Sequence, residues 1–139
     1  VIGRTHLKRL DYNNEIRRAN FKLFLQNLDS DKYLTHFALE GSCNYAFTLV
    51  LKQADDHLCT EVIKTWSLLN VEFRRGTAGG RNQLRQPYLK RLNGNNSPQD
   101  FPSVEHVHFY GFYIGNYPSL DTNKVFTLCN HLNRLEGDL

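Results

Sequence analysis

The sequence predicts an α/β domain in which helices pack against one small sheet of three or four strands. Two patterns lead to this prediction. Apolar residues recur at helical spacing in three segments, and three short segments between them are rich in apolar, β-branched or aromatic residues. At 139 residues, 40% of them hydrophobic, the chain is long enough for one core and too short for a second full domain.

The first predicted element is an amphipathic helix over residues 2–28, broken near Asp11. Polar turn-forming residues at 29–31 end it. Residues 45–51 are expected to form a strand, and because both of its faces are largely apolar we place it in the centre of the sheet. The apolar positions of the helix, mostly three or four residues apart, are Leu7, Leu10, Phe21, Phe24, Leu25 and Leu28.

A second helix is predicted to begin at an N-cap formed by Asp55 or Asp56. A short strand over 71–74 follows almost at once. Segment 76–101 is rich in glycine, proline and asparagine, so we expect a loop there, with room for one short helical turn around 83–92. The apolar stripe of the second helix consists of Leu58, Val62, Ile63, Trp66 and Leu69.

Residues 106–114 are aromatic and β-branched, which predicts a third strand that Pro118 closes. A last helix is expected from Ser119 or Asp121 to near Gly137. The predicted order is therefore helix, strand, helix, strand, long loop, strand and helix.

Composition excludes several classes of protein. Seventeen Lys and Arg against fourteen Asp and Glu leave a formal charge of +3, too small an excess to indicate nucleic acid by itself. No apolar run approaches the roughly 18 residues of a membrane span, and the start does not resemble a secretory signal. The three cysteines, Cys43, Cys59 and Cys129, form no CxxC pair, so we expect a reducing cytoplasm. Because the chain contains no Met and opens inside a predicted helix, we also expect a fragment of a longer protein.

Basic residues dominate the middle of the chain. Between Glu72 and Asp100 there is no acidic residue. A planar guanidinium can form two parallel charge-assisted hydrogen bonds to a carboxylate or phosphate, so this segment predicts an anion site. Gly79 and Gly80 add backbone amides that an anion can approach, and the alternative is a solvated cationic surface. The basic residues are Arg74, Arg75, Arg81, Arg85, Lys90 and Arg91.

Other candidate sites are weaker. His106 and His108 would share one face of the predicted third strand, but no third zinc ligand is identifiable, so we expect no metal. His57 and His131 each lie two positions from a cysteine on a predicted helix, where such residues face different sides. A Cys–His catalytic pair is therefore disfavoured, and we expect inert buried thiols. The aromatic residues near the histidines are expected in the core and at its rim: Tyr110, Phe112, Tyr113 and Tyr117.

Two segments carry a resemblance to a known family. They are FRRGTAGGRNQLRQPYLKRL at 73–92 and EHVHFYGFYIGNYPSL at 105–120. Together with the opening VIGRTHLKRLDYNNEIRRAN, they resemble the C-terminal part of the sugar-modifying enzymes of pyridoxal-phosphate fold type I, and within these the GDP-4-keto-6-deoxy-D-mannose 3-dehydratases. Arg81 stands where that pattern has a third glycine.

The resemblance implies that residues 1–139 form one small C-terminal domain, with 1–28 as the helix that links it to a missing N-terminal domain. That domain would hold most of the pyridoxal or pyridoxamine phosphate and all catalytic residues, so this chain alone would be inactive. The implied reaction removes the C3 hydroxyl of a nucleotide-linked 4-keto-6-deoxyhexose, with glutamate as amine donor, in a cytoplasmic homodimer that supplies deoxysugars for lipopolysaccharide and O-antigen.

The resemblance also suggests substrate-binding residues. Arg85 is the candidate for the α-carboxylate of glutamate, because its guanidinium suits a planar anion. Its alternative role is an ion pair with a surface acid. Two alternative functions stay open: a sugar-nucleotide aminotransferase with a lysine as base, and a basic module that binds nucleic acid. The further candidates are Arg81, Asn82, Gln83 and Gln86 around Arg85, and His108 and Tyr113 for the sugar.

Overall fold

The computed structural model describes residues 2–75, 82–89 and 97–137. Five helices and three strands are formed there, together with three single turns of 3-10 helix. The helices are α1 (Ile2–Leu7), α2 (Leu10–Asn27), α3 (Asp56–Leu68), α4 (Pro102–Tyr110) and α5 (Thr122–Asn133). The strands are β1 (Ala46–Val50), β2 (Phe73–Arg75) and β3 (Gly111–Gly115), and the 3-10 turns are Gln83–Arg85, Pro87–Leu89 and Pro98–Asp100.

The three strands form one antiparallel sheet in the order β1–β3–β2. Ile114 of β3 pairs with Phe47 on one side and with Phe73 on the other. The fold class is as predicted, but the central position predicted for β1 is wrong. β1 is buried at the edge because the preceding chain covers it: Tyr33 forms a bridge with Leu51.

The core lies between one face of the sheet and helices α2, α3 and α5. Alternate residues of a strand point to one face, so Phe112 and Ile114 enter the core together. Trp66 of α3 is fully buried and meets the ring of Phe112 edge-on, with 5.2 Å between centroids. Phe24 of α2 packs on Phe47, with 4.9 Å between centroids. Helical spacing predicted these buried positions of α2 and α3.

Local capping signals fix the starts of two helices. The Asp55 carboxylate accepts a hydrogen bond from the Leu58 amide at 2.7 Å, and Asp121 accepts one from the Asn123 amide at 2.9 Å. Both aspartates were among the predicted caps. The break in the first helix lies at residues 8–9 instead of near Asp11, and α5 ends at Asn133, before Gly137.

The main error in the predicted order concerns α4, because residues 102–110 are helical and only the last part of the expected strand is extended. Pro102 occupies the first turn of α4, where its fixed φ and missing amide hydrogen cost little. Gly111 then turns the chain into β3. A Cβ at Gly111 would lie 2.5 Å from the carbonyl oxygen of Val107, so only glycine fits this close approach. The expected strand at 71–74 is also displaced, to Phe73–Arg75.

Asn116 closes β3 and joins it to α2 and to the chain before β1. Its side-chain nitrogen Nδ2 donates to the backbone carbonyl oxygens of Arg17 and Asn44, both at 2.8 Å. Its amide oxygen accepts from the side chain of Asn20 at 3.2 Å. With 2% of its surface exposed, Asn116 is a buried polar residue whose bonds replace those it would make to water.

Candidate functional site

The polar cluster that contains most of the predicted binding residues is formed by the turn at Gln83–Arg85 and helix α4. The Arg85 guanidinium contacts the Glu105 carboxylate through Nε, at 2.9 and 3.0 Å from its two oxygens, and through Nη2, at 2.5 Å from Oε2. This hydrogen bonding holds the pKa of Glu105 below its usual range and raises the pKa of Arg85. Arg85 and Glu105 are therefore both charged.

Asn82 lies at the centre of this cluster and is only 3% exposed. Its side-chain nitrogen donates to Oε1 of Glu105 at 2.5 Å, and its side-chain oxygen caps the following turn by accepting from the Leu84 amide. Its backbone amide donates to Nδ1 of His108 at 3.0 Å, which requires that nitrogen to be unprotonated. Helix α4 thus holds the turn through two side chains three residues apart.

Aromatic rings border the cluster. The guanidinium carbon of Arg85 lies 5.1 Å from the centroid of the Phe109 ring, within cation–π range. The Tyr88 hydroxyl donates to the side-chain oxygen of Gln83 at 2.9 Å. Tyr88 and Phe109 are both partly exposed, at 64% and 40%. The surface beside Arg85 is therefore partly aromatic and reachable from solvent.

The structure joins some predicted site residues and separates others. Asn82, Arg85 and His108 are joined by the hydrogen bonds above. Within the described part of the chain, Tyr113 has no hydrogen bond or ring contact with any of them, and its ring contacts Tyr45 at 6.3 Å between centroids. Gln83 and Gln86 belong to the same turn through the bond from the Gln86 amide to the Gln83 carbonyl. Arg81, Gly79, Gly80, Lys90 and Arg91 lie outside the described residues.

Two arginines of the predicted anion site pair with carboxylates, which for Arg85 is the alternative role stated above. Arg74 pairs with Glu72 at 3.2 Å, and both side chains are exposed. Arg85 pairs with Glu105, which lies 20 positions away and so escapes a count of acids along the segment. Arg75 differs: its Nη2 donates to the Phe109 carbonyl at 2.6 Å, and its guanidinium lies over the Phe112 ring.

Contrary to the prediction from the sequence, His106 and His108 do not share one face of a strand. They lie on helix α4, where residues two apart face different sides, instead of on one face of a strand. Nε2 of His106 lies 2.6 Å from the Leu51 carbonyl oxygen, and His108 holds Asn82. Among the described residues no group of three His, Cys, Asp or Glu side chains is arranged to hold a metal ion.

The three cysteines differ in their exposure to solvent. Cys59 and Cys129 are buried on α3 and α5, whereas Cys43 is exposed, against the expectation that all three are buried. Burial raises the pKa of Cys59, an effect that the neighbouring Arg75 charge opposes, and burial raises the pKa of Cys129 to about 12. The two buried thiols therefore stay protonated and are poor nucleophiles at neutral pH.

A cleft of about 700 Å³ opens elsewhere, between α5 and the end of the sheet. Its floor includes Val71 and Leu128, and Arg74 and Lys124 stand among its polar residues. Arg85 is not among the residues that line it. Among the described arginines of the predicted anion site, Arg74 thus lies at the cleft, whereas Arg85 belongs to the Asn82–Arg85–Glu105 cluster. None of the described helices combines the length and apolar character needed to span a membrane.

Glu105 and Phe109 are the residues of this cluster that sequence reasoning missed. Glu105 and His108 are spaced three apart, which brings side chains together on a helix but sets them on opposite faces of a strand. The signal that could have revealed them was Pro102, since proline is frequent in the first turn of a helix.

No protein-family model matches this sequence. No curated protein matches it significantly either. Solved structures do match. A crystal structure of GDP-4-keto-6-deoxymannose-3-dehydratase with a trapped PLP–glutamate geminal diamine aligns with 94% of this chain and 34% of its own, at a TM-score of 0.77 and 20% identity. The E. coli GDP-4-keto-6-deoxy-D-mannose-3-dehydratase with bound hydrated PLP gives the same TM-score and identity, with 33% of its chain covered.

A protein described as a sugar aminotransferase from Streptococcus pneumoniae, in its PMP form, aligns with 94% of this chain and 32% of its own, at a TM-score of 0.74 and 11% identity. The present chain thus spans about a third of the length of the proteins that it matches. At these identities the comparison establishes the fold alone. The chain has the same fold as about one third of each of these proteins.

Proposed function

We propose that this chain is the C-terminal part of a pyridoxamine-phosphate-dependent enzyme that removes the C3 hydroxyl of a nucleotide-linked 4-keto-6-deoxyhexose, with glutamate as amine donor. The observation that carries the proposal is the alignment of 94% of the chain with two dehydratase structures at a TM-score of 0.77. The resemblance of segments 73–92 and 105–120 to the same enzymes supports it independently of the backbone.

Two of the described lysines are unsuited to bind pyridoxal phosphate covalently. A lysine that binds pyridoxal phosphate covalently needs an uncommitted amine. Nζ of Lys32 donates to the carbonyl oxygens of Asn133 and Leu135, both at 2.7 Å, and Nζ of Lys64 pairs with Glu61 at 2.6 Å. The proposal places the cofactor in a separate N-terminal domain, and no catalytic step is assigned to this chain.

In this proposal the Asn82–Arg85–Glu105 cluster is part of the wall of the active site. Arg85 binds a carboxylate of glutamate, and Gln83, Gln86 and Arg81 supply further donors from the same segment. His108 is 9% exposed and accepts a bond from Asn82, which favours a supporting role over direct contact with the sugar. Tyr113, on the sheet face opposite Phe112, remains the candidate for contact with the sugar.

The second candidate is a sugar-nucleotide aminotransferase, favoured by the alignment with the Streptococcus pneumoniae protein at a TM-score of 0.74. The resemblance implies that the two activities differ in the residue that acts as base, a histidine in the dehydratases and a lysine in the aminotransferases. That residue would lie in the missing domain.

The test is to read the coding region ahead of Val1, express the complete protein and assay it. We expect a cofactor-binding domain there, cytoplasmic expression and a homodimer by sedimentation. With GDP-4-keto-6-deoxymannose and glutamate, loss of the C3 hydroxyl supports the dehydratase, whereas a 4-amino sugar supports the aminotransferase. Neither product, or an unrelated upstream domain, would refute both.

A further inference from the structure

Arg85 is restrained from two directions. In the plane of its guanidinium, Glu105 accepts from Nε at 2.9 and 3.0 Å and from Nη2 at 2.5 Å. The guanidinium carbon also lies over the ring of Phe109, 5.1 Å from its centroid. These contacts fix the position of the group.

The contact with Glu105 uses one edge of the guanidinium and leaves a second edge that can bind another group. The group has five N–H donors, and Glu105 takes the one on Nε and one on Nη2. Among the described residues Nη1 has no hydrogen-bond partner, and 35% of the Arg85 side chain is exposed. The outer edge, formed by Nη1 and Nη2, therefore keeps two parallel donors, the arrangement that matches the two oxygens of a carboxylate.

Glu105 is itself held in place. Oε1 accepts from the side-chain nitrogen of Asn82 at 2.5 Å, and the Asn82 amide is bound to Nδ1 of His108. Both Asn82 and His108 are buried, and only 15% of the Glu105 side chain is exposed. A continuous line of hydrogen bonds thus runs from His108 on α4 through Asn82 and Glu105 to Arg85.

We propose that Glu105 is a positioning residue, which holds Arg85 so that the outer edge of its guanidinium binds a carboxylate of the amino donor while the ion pair stays intact. This inference rests on the proposed function, in which Arg85 takes that carboxylate. The alternative is competition, in which the incoming carboxylate displaces Glu105 from Arg85.

Two effects of Glu105 oppose each other. Its negative charge weakens the attraction of Arg85 for a second anion, but that repulsion acts across the guanidinium at a partly exposed site and is screened by salt. Its hydrogen bonds remove rotamer freedom that Arg85 would otherwise lose on binding. At about 0.15 M salt we expect the second effect to prevail.

The experiment follows the Arg85 side-chain N–H resonances of the isotope-labelled 139-residue chain during titration with glutamate, with Arg85→Lys to assign them. In the wild-type chain we expect the Nη signals to move to saturation, while the Nε signal keeps the shift of a carboxylate-bonded group. Glu105→Gln preserves an acceptor for Asn82 but loses the charge and one carboxylate oxygen. It should bind glutamate about threefold to tenfold more weakly.

The matched control is Glu61→Gln, which breaks the ion pair with Lys64 on the exposed surface of α3 and should leave the titration unchanged. Tighter or equal binding by Glu105→Gln would overturn the proposal in favour of competition. Should that variant fold poorly, the wild-type titration decides alone, because loss of the bonded Nε signal on adding glutamate means displacement. If no carboxylate binds at Arg85, this inference fails, whereas the proposed reaction stands or falls on the product assay of the complete enzyme.

Discussion

The carboxylate of Glu105 forms a two-pronged contact with the guanidinium of Arg85, with Nε 2.9 Å from Oε1 and Nη2 2.5 Å from Oε2. This contact joins helix α4 to a turn 20 positions earlier in the chain. The segment between Glu72 and Asp100, which contains Arg85, has no acidic residue of its own. It lowers the pKa of Glu105, so the stability of the fold should depend on the charge of this group.

The first prediction concerns pH. Because the folded-state pKa of Glu105 is depressed, its stabilising contribution is present above the unfolded pKa of about 4.3 and is lost as pH falls through the folded value. The difference in unfolding free energy between wild type and Glu105→Gln should therefore be constant from about pH 7 to 5 and shrink below that. Chemical denaturation across this range measures it. In an Arg85→Gln background most of the pH dependence of that difference should vanish, and its persistence there would assign it to another partner.

A second prediction concerns the thiols. Cys59 and Cys129 are 5% and 1% exposed and have raised pKa values, whereas Cys43 is exposed. Since the thiolate is the reactive species, a disulfide reagent at neutral pH should modify one thiol rapidly in the native chain and all three in denaturant. Cys43→Ser should remove the rapid phase. A rapid reaction that survives in Cys43→Ser would show that a core thiol is accessible.

A third prediction tests the Asn116 network. Asn116→Ala removes both donors to Arg17 and Asn44 and the acceptor for Asn20, leaving buried groups unpaired at about 1–3 kcal/mol each. We expect a loss of about 3 kcal/mol in unfolding free energy. Asn13→Ala is the control, because the described residues give Asn13 no side-chain hydrogen bond, and it should change stability by about 0.5 kcal/mol or less. A loss below about 1 kcal/mol in Asn116→Ala would mean that water replaces these bonds.

A fourth prediction concerns the cofactor. The purified 139-residue chain mixed with pyridoxal phosphate should show no stoichiometric absorbance of bound cofactor, because the proposed function places the cofactor in a separate domain. The amines of Lys32 and Lys64 are in addition committed to other partners. Borohydride reduction followed by mass spectrometry provides the control for covalent attachment at any lysine. One equivalent of cofactor at a single site would contradict the assignment of cofactor binding to a separate domain.

Much of the fold could be predicted because its signals are local. Helices α3 and α5 follow from apolar spacing and from the capping residues Asp55 and Asp121, each of which acts within three positions. The sheet order could not be predicted in the same way. β1 has apolar residues on both faces, typical of a central strand, yet it lies at the edge of the sheet. Its burial there comes from the chain near Tyr33, which covers it.

Helix α4 shows where local propensity misleads. Its sequence PSVEHVHFY is β-branched and aromatic, which favours a strand, and its apolar residues Val104, Val107 and Phe109 stay partly exposed. Pro102 marks the start of the helix, and tertiary contacts such as that of His106 with the Leu51 carbonyl support it. In the candidate site, Arg85 and Asn82 could be selected from the sequence by the chemistry of their side chains. Glu105 lies 20 or more positions further along the chain, so only the fold shows that it contacts them.

The most direct test of the central claim is the steady-state kinetics of Arg85→Lys in the complete enzyme. Lysine keeps the charge but offers no parallel pair of donors, so the KM for glutamate should rise about tenfold, the worth of one hydrogen bond to a charged group. The KM for the sugar nucleotide should change little, and Arg18→Lys, at an exposed position of α2, should alter neither. Equal increases in both KM values for Arg85→Lys would contradict the assignment of Arg85 to the amino donor.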